Sequence, residues 1–352
     1  AQGASERNIS AVIESKDMTR ALRAVHGSFY LSAKTVSIGL IGPGLVGGVL
    51  LDQLAEAAQR LFSDFNLDLR VRAIGGSRRM IVADRRLALD SWRDQYAEGE
   101  TMDQARLVDH IQADHLPHAV LIDCTASETV ANEYASWLER GIHIITPNKR
   151  AHSGPSAYYD RLKRISRGSS SHFLYEATVG AGLPVIQTLK DLVETGDEIE
   201  SISGIFSGTL AYLFNVFDGS RPFSDIVRDA RERGFTEPDP RDDLSGMDVA
   251  RKAVILAREA GLPLELSDIE VENLVPDVLA DTSVDAFLDQ LSQFDAAMAE
   301  RVEQAAADEQ VLRYVAEIDF KTGTARVRLG SYAADHPFAN ISLTDNIVQF
   351  VT

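Results

Sequence analysis

The feature that most constrains the fold of this chain is a glycine-rich turn between a predicted strand and a predicted helix. Residues 36–41, Val-Ser-Ile-Gly-Leu-Ile, form a short apolar run typical of a buried strand. Leucine and alanine residues then recur at helical spacing from Leu50 to Leu61. Between the two lies Gly-Pro-Gly-Leu-Val-Gly at 42–47. This context predicts a tight turn whose backbone approaches a pyrophosphate, with the N–H groups of the helix N-terminus facing the phosphates. A turn of the same shape without a ligand is the less favoured alternative.

The end of the second predicted strand, residues 67–74, bears on which dinucleotide is bound. NAD-selective sites usually place Asp or Glu there to bind the ribose hydroxyls, whereas this chain has Ser77, Arg78 and Arg79. Because the planar guanidinium group suits a 2′-phosphate, these residues favour NADP, with NAD as the second candidate. The alternative explanation is that Arg78 and Arg79 are solvated loop residues.

Strand and helix patterns alternate from residue 36 to about residue 172. Further strands are predicted at 67–74, 119–123 and 142–145, and a helix at 130–140. Such alternation is typical of a parallel sheet covered on both faces. We therefore predict a Rossmann-type, doubly wound α/β domain over residues 36–172.

The pattern changes after residue 172. A strand at 173 leads into a glycine-rich loop, helical segments follow, and the last part reads as strands at 314–320, 325–329 and 347–351. These features predict a second, α+β domain over residues 173–352. Residues 1–35 hold a short alternating strand around Ile9 and a helix from Met18 to His26. We expect them to be the end of a longer element, because they are too few to bury a core.

Charge and cysteine content limit the partners of the chain. It has 35 basic and 53 acidic residues and a net charge of −18, so we expect neither nucleic acid nor an anionic membrane surface as a partner. No stretch has the length and apolarity of a membrane span, and Ala1 to Ser10 lack the pattern of a signal peptide. The single cysteine, Cys124, excludes an internal disulfide framework and indicates a reducing compartment.

An acidic stretch from Glu237 to Lys252 is the most informative part of the second domain. Its two prolines predict an acidic loop, followed by a helix that begins near Ser245 or Gly246. Asp248 and Lys252 are four residues apart and therefore share a helix face. They could form an exposed ion pair worth about 0.3–0.5 kcal/mol. They could also belong to a polar pocket in which carboxylates bind an ammonium group and a buried lysine exchanges a proton with a carbonyl or alcohol oxygen.

Together these residues resemble the homoserine dehydrogenase family, and in particular the dehydrogenase portion of bifunctional aspartate kinase–homoserine dehydrogenases. The resemblance covers nearly the whole chain, and residues 1–32 are similar to the end of the regulatory ACT region of the fused enzymes. It rests on residues 42–47, Pro147-Asn148-Lys149, residues 176–184, Ser207-Gly208-Thr209 and residues 237–252.

The resemblance implies NAD(P)H-dependent reduction of L-aspartate 4-semialdehyde to L-homoserine and the reverse reaction. Lys252 would be the general acid, Lys149 would assist between cofactor and substrate, and Asp248 would complete the catalytic set. Glu237 and Asp248 would hold the amino-acid end of the substrate, and Asp243 would line its pocket. The implied cofactor-binding positions are Gly42, Gly44, Leu45, Val46, Gly47, Ser77, Arg78, Arg79, Cys124, Thr125, Ser127 and Lys149.

The resemblance also implies a monovalent cation, sodium, in the loop after residue 175. Its ligands would be a carboxylate oxygen of Glu176 and the carbonyl oxygens of Val179, Ala181 and Leu183, since hard cations prefer oxygen. A tight strand–helix loop without a cation would explain the same glycines.

The family relationship implies an assembly as well. Residues 173–185 with 310–352 would form the dimerisation part of a homodimer or higher homo-oligomer, and 186–309 the catalytic part. A kinase domain is expected upstream, and family members continue past the position of Thr352 with a glycine-rich segment and a helix. The expected location is the cytoplasm, or the plastid stroma in a plant.

Two other functions are compatible with parts of the sequence. One is an aldehyde dehydrogenase acting through a thioester on Cys124, although a lone cysteine is more often a small buried hydrophobe. The other is a non-catalytic NADP-binding regulatory module.

Overall fold

The computed structural model describes residues 2–5, 8–18, 21–22, 25, 34–113 and 116–352. At the start of the chain, β1 (Gln2–Ser5) and β2 (Asn8–Ala11) pair in an antiparallel hairpin. Most of the helix predicted from Met18 to His26 lies outside the described residues. From there the chain divides into two compact units, residues 1–148 with 161–175 and residues 149–160 with 176–352.

The first unit is built on a seven-stranded sheet in the order β6-β5-β4-β3-β7-β8-β9. The four strands predicted in this region are all present, which confirms the Rossmann-type α/β fold. The hairpin of β5 and β6 at one edge was not predicted, and it makes the sheet mixed because both strands run antiparallel to their neighbours. The strands are β3 (Lys34–Ile41), β4 (Leu67–Gly75), β5 (Arg79–Val82), β6 (Glu100–Thr101), β7 (His118–Asp123), β8 (His143–Ile145) and β9 (Phe173–Leu174).

Helices cover both faces of this sheet. Leu40 of β3 packs in one cluster with Leu51, whereas a Cβ built on the adjacent Gly39 would lie 3.0 Å from Ile111. Since successive strand residues point to opposite faces, the helices that carry Leu51 and Ile111 lie on opposite sides. The helix predicted at 130–140 is divided into two short helices. The helices of this unit are α1 (Leu45–Phe65), α2 (Trp92–Ala97), α3 (Gln104–Ile111), α4 (Glu128–Ala131) and α5 (Tyr134–Glu139). Of the next two helices, α6 (Arg150–Ser153) lies in the second unit, and α7 (Ser156–Gly168) has residues in both.

The second unit has a five-stranded sheet in the order β11-β13-β12-β10-β14, as expected for an α+β domain. Its strands are β10 (Ser201–Ile205), β11 (Ile269–Val271), β12 (Gln310–Asp319), β13 (Thr324–Ala333) and β14 (Ile347–Val351). Its helices are α8 (Val185–Thr195), α9 (Gly208–Val216), α10 (Phe223–Glu232), α11 (Pro240–Leu244), α12 (Met247–Glu259), α13 (Val284–Gln290) and α14 (Asp295–Ala307).

Helix α12 is the buried centre of the second unit. It contacts α6, α8 and strands β11, β12 and β13. Every residue from Ala253 to Glu259 is buried, so its position is determined by packing on all sides. Among the described residues, no helix combines the length and the apolarity that crossing a bilayer requires.

Candidate active site

Residues 240–244 of the acidic stretch before α12 form a short helix, where a loop was predicted from the two prolines. Pro240 is the first residue of α11, where a proline loses no helical hydrogen bond. Asp239 caps this helix by accepting from the N–H of Arg241 at 3.0 Å. The helix predicted to begin near Ser245 or Gly246 starts at Met247. The two helices therefore follow one another with a single sharp turn between them.

Two lysines contact one carboxylate at the start of α12. Asp248 Oδ2 lies 2.7 Å from the Nζ of Lys252, and Asp248 Oδ1 lies 3.1 Å from the Nζ of Lys149. The Lys252 ammonium also donates to the carbonyl oxygen of Phe206 at 2.7 Å. This cluster brings together all three residues predicted to be catalytic.

Burial separates this cluster from an ordinary surface ion pair. Only 14% of the Lys252 side chain is exposed, compared with 47% of the Asp248 side chain. Burial lowers the pKa of Lys252, and Lys149 lowers it further, against the opposing effect of Asp248. Burial alone would raise the pKa of Asp248, but the two lysines hold it below its usual range. The polar-pocket interpretation of the sequence is therefore the one that the geometry favours.

Two further carboxylates lie next to the cluster. Asp243 accepts from the backbone N–H of Glu237 at 2.8 Å. Burial raises the pKa of Asp243, and the charges of Glu237 and Asp248 act in the same direction. The Glu237 side chain itself is exposed to solvent. The five ionisable residues predicted for catalysis and substrate binding in the second unit thus form one group of three acids and two lysines.

The glycine turn in the first unit has the geometry of a phosphate cradle. Gly42 has φ +90°, and a Cβ on Gly47 would lie 2.2 Å from the Gly42 carbonyl oxygen. At Gly44, by contrast, a Cβ would meet nothing within 4 Å, so the backbone there is open to a ligand. Leu45 and Val46 are 86% and 59% exposed at the start of α1. The turn therefore fits a dinucleotide pyrophosphate.

The residues expected to bind the ribose lie at the exposed turn between β4 and β5, with Arg79 as the first residue of β5. Ser77, Arg78 and Arg79 are all exposed. The Arg79 guanidinium donates to the carbonyl oxygen of Ala97. No side-chain hydrogen bond or ion pair involves Arg78 in the part of the chain that the structure describes, so Arg78 is the better placed of the two for a phosphate.

The loop after β7 lies against the glycine turn. A Cβ on Gly42 would lie 2.8 Å from Thr125 Cγ2, and the Cys124 N–H donates to the Ile41 carbonyl at 2.8 Å. Ser127 caps α4 by accepting from the Val130 N–H. Burial raises the pKa of the Cys124 thiol to about 11, so the thiolate that a thioester mechanism needs is disfavoured.

A buried polar network beneath this loop was not predicted. The Asp123 carboxylate is fully buried and accepts from the Thr125 N–H at 2.8 Å, from the Asn148 side chain at 3.1 Å and from the Tyr134 hydroxyl. Asn148 also donates to the Ser127 carbonyl at 2.9 Å. The position of Asp123 at the end of a predicted strand was the only available sequence signal, because its side-chain partners Tyr134 and Asn148 lie 11 and 25 residues away.

The loop expected to bind a cation holds its carboxylate at a helix N-terminus. Glu176 accepts from the N–H groups of Ile186 and Gln187 at 2.8 and 2.9 Å, and so caps α8. Gly180 and Ala181 both have positive φ, 78° and 52°. The Leu183 carbonyl accepts from the Val185 N–H at 2.9 Å. The loop therefore has a structural role that is independent of any cation.

Comparison with known proteins gives the family. The homoserine dehydrogenase model matches residues 184–352 and the NAD-binding domain model of homoserine dehydrogenase matches residues 42–176. The homoserine dehydrogenase of Schizosaccharomyces pombe is 40% identical over 91% of this chain and 88% of the yeast protein. The chain belongs to the homoserine dehydrogenase family.

Some relatives are much longer than this chain. Bifunctional aspartokinase/homoserine dehydrogenase 2 of Zea mays is 52% identical over 100% of this chain, which spans only 39% of the maize protein. An ACT domain model matches residues 1–29, in agreement with the resemblance of the N-terminal residues to the end of an ACT region. A crystal structure of a Candida auris protein of unknown function has a TM-score of 0.81 and 34% identity, and covers 91% of this chain and 89% of that one.

Membership in the homoserine dehydrogenase family supports neither alternative function. The NAD-binding match agrees with the predicted use of a nicotinamide dinucleotide. Sequence reasoning also missed the Phe206 carbonyl that accepts from Lys252, because a backbone oxygen has no sequence signature.

Proposed function

We propose that this chain reduces L-aspartate 4-semialdehyde to L-homoserine and catalyses the reverse reaction, with Lys252 as the general acid and base. The observation that carries the proposal is the buried Lys252 ammonium, held between the Asp248 carboxylate and the Phe206 carbonyl at 2.7 Å from each. A lysine whose pKa is lowered by burial can exchange a proton nearer to neutral pH than a solvated one.

The hydrogen-bond inventory of Lys252 supports this role. An ammonium group has three N–H donors. Asp248 and the Phe206 carbonyl accept two of them, which leaves the third for a substrate oxygen. When bound, NADPH supplies the hydride that reduces the aldehyde carbon. Lys252 donates its proton to the aldehyde oxygen, and in the oxidation of homoserine the neutral amine takes the proton from the hydroxyl.

The remaining residues of the cluster suit the amino-acid end of the substrate. Glu237 is exposed and can accept from an ammonium group, whereas Asp243 is turned to the backbone N–H of Glu237. Asp248 orients both lysines. Lys149 places a second positive charge beside Asp248, and this charge helps to keep the pKa of Lys252 low.

We propose NADP as the preferred cofactor, with NAD as the second candidate. Gly42, Gly44, Leu45, Val46 and Gly47 would hold the pyrophosphate, and Arg78 would hold the 2′-phosphate with Ser77 and Arg79 beside it. Cys124, Thr125, Ser127 and Lys149 would lie near the nicotinamide end. The open backbone at Gly44 and the exposed Arg78 support this assignment.

A sodium ion at the loop of Glu176, Val179, Ala181 and Leu183 is a further proposal. Each carboxylate oxygen of Glu176 accepts one backbone N–H, so each keeps a lone pair for a cation. Consecutive positive φ values at Gly180 and Ala181 turn successive carbonyl groups in different directions, as an oxygen cage for a hard cation requires.

The similarity to bifunctional aspartokinase/homoserine dehydrogenases also supports a proposal about the whole protein and its oligomer. We propose a kinase domain upstream of this chain in the whole protein, and a homo-oligomer formed through residues 173–185 and 310–352. The proposed domain boundaries are 1–35, 36–172 and 173–352, with the catalytic part at 186–309. The maize relative is a chloroplastic protein, and a location in the plastid stroma or the cytoplasm is proposed for this one.

One assay tests the central proposal. NADP reduction is followed by the absorbance of the reduced nicotinamide, with L-homoserine as substrate and with sodium or potassium chloride at equal ionic strength. We expect turnover with homoserine, and faster turnover with sodium. NADP binding without any turnover would favour the regulatory-module alternative. Equal rates in the two salts would contradict the sodium site but not the proposed reaction.

A further inference from the structure

Lys149 is joined to a helix too short to be stable by itself. It is the N-cap of α6, which has only four residues, Arg150–Ser153. A single helical turn costs more conformational entropy than its hydrogen bonds return. The position of Lys149 must therefore depend on contacts that α6 makes with other elements of the second unit.

A buried arginine on α12 contacts the C-terminal end of α6. Arg258 NH1 donates to the carbonyl oxygens of His152 at 2.6 Å and Gly154 at 2.7 Å, at the C-terminal end of α6. Its Nε donates to the Leu264 carbonyl and its NH2 to the Glu265 carboxylate, both at 2.9 Å. Only 1% of the Arg258 side chain is exposed. Every nitrogen of the guanidinium has a protein partner, so Arg258 serves structure and not ligand binding.

The same helix therefore holds both ends of the Lys149 segment. Asp248, in the first turn of α12, binds the Lys149 ammonium at 3.1 Å. Arg258 lies ten residues later, about 15 Å along the helix axis, and holds the carbonyl groups that end α6. Between them, Ser153 Oγ donates to the Lys149 carbonyl at 2.9 Å and lies 3.4 Å from Arg251 NH1.

We propose that Arg258 is a positioning residue for Lys149, acting by holding the C-terminal carbonyl groups of α6. This inference rests on the proposed function, in which Lys149 assists the reaction. The planar guanidinium of Arg258 binds the end of α6 through NH1 and residues 264–265 through Nε and NH2. The single ammonium group of a lysine cannot make both sets of contacts. Without the Arg258 guanidinium, α6 can shift or fray, and the Lys149 ammonium then moves away from its position 3.1 Å from Asp248.

The test is a double-mutant cycle on the full chain, measured as kcat and KM for homoserine oxidation. The variants are Arg258→Lys, Lys149→Ala and the combination of the two. We expect Arg258→Lys to lower kcat by roughly 10- to 100-fold, the range that small displacements of a reacting group produce. In the Lys149→Ala background we expect Arg258→Lys to have less than a threefold effect, roughly the scatter of additive sites.

A second buried arginine provides a matched control. Arg313 is also buried, and it donates to the carbonyl groups of Phe338, Phe214, Leu312 and Ala339. None of these belongs to α6 or α12. Arg313→Lys likewise removes a buried guanidinium that donates to several backbone carbonyl groups. It should lower thermal stability as much as Arg258→Lys does, with kcat nearly unchanged.

A milder variant decides the question if Arg258→Lys does not fold. Glu265→Gln removes the negative charge that pairs with Arg258, at a half-exposed position. We expect a several-fold loss of kcat that disappears in the Lys149→Ala background. Additive losses in the cycle, or a kcat loss in Arg313→Lys equal to that in Arg258→Lys, would overturn the positioning role. No homoserine turnover by the wild-type chain would instead overturn the proposed function, and this inference with it.

Discussion

Gly246 lies directly against the phenolic oxygen of Tyr314. A Cβ built on Gly246 would lie 2.0 Å from Tyr314 Oη, and the backbone of Gly246 has φ +72°. The Tyr314 hydroxyl is itself held, since it donates to the Glu272 carbonyl at 2.6 Å. Gly246 is also the N-cap of α12. The start of the helix that carries Asp248 and Lys252 is thus determined by a contact at which only a hydrogen atom fits.

The variant Gly246→Ala should destabilise the protein by more than the cost of a left-handed alanine alone, which is about 1–2 kcal/mol. The added methyl group must also displace Tyr314. We expect Gly246→Ala with Tyr314→Phe to recover part of the loss, because removal of the hydroxyl relieves the clash. Urea unfolding of the two single variants and the double variant measures this coupling. Wild-type stability in Gly246→Ala would contradict the close approach.

The variant Lys252→Ala should lower kcat by roughly 10²–10⁴, the usual contribution of a general acid or base. The affinity for NADPH should stay nearly constant, since the glycine turn belongs to the other unit. Steady-state kinetics and fluorescence titration with NADPH measure the two effects. Lys321→Ala is the control, because Lys321 forms an exposed ion pair with Glu200 at 2.8 Å. Near-normal turnover in Lys252→Ala would remove this lysine from the mechanism.

The pH dependence follows from the lowered pKa of Lys252. The neutral amine is the base in homoserine oxidation, so kcat should rise with pH and level off above the lowered pKa, below the ordinary value of 10.5. The aldehyde reduction needs the ammonium form and should fall over the same range. Asp248 raises the pKa of Lys252, so Asp248→Asn should move both midpoints to lower pH. Midpoints that do not move would contradict the coupling of the two residues.

The variant Arg78→Ala should weaken NADPH binding about tenfold, the loss expected for one charge-assisted contact, with a much smaller effect on NADH. Isothermal titration with the two cofactors measures the difference. Arg85→Ala changes another exposed arginine of the same unit and should affect neither. An equal loss for both cofactors in Arg78→Ala would contradict the assignment of Arg78 to the 2′-phosphate.

The variant Cys124→Ser should retain homoserine turnover to within a few-fold. Burial raises the pKa of this thiol to about 11, so at neutral pH it is protonated and a poor nucleophile. Turnover abolished by serine, with NADPH binding intact, would favour the thioester mechanism over proton exchange by Lys252.

Much of the first unit follows from local sequence. Strands β3, β7 and β8 are visible as apolar runs, which are typical of buried parallel strands, and the turn after β3 is visible because it needs glycine. Strand β4 is visible by the alternation of apolar and polar residues from Leu67 to Arg72. The hairpin of β5 and β6 is not visible, since four- and two-residue strands carry too little pattern. The acidic loop predicted from the two prolines is wrong from residue 240 onward, because Pro240 begins a helix there rather than interrupting one.

The sequence by itself determined that Asp248 and Lys252 share a helix face, because helical periodicity is a local property. Whether that pair is exposed or buried was left open by the pattern, and the tertiary structure decided it. It placed α12 at the centre of the second unit, brought Lys149 to 3.1 Å from Asp248 and set the Phe206 carbonyl against Lys252. These contacts join residues about 50 to 100 positions apart, and only the packing of the whole unit determines such distances.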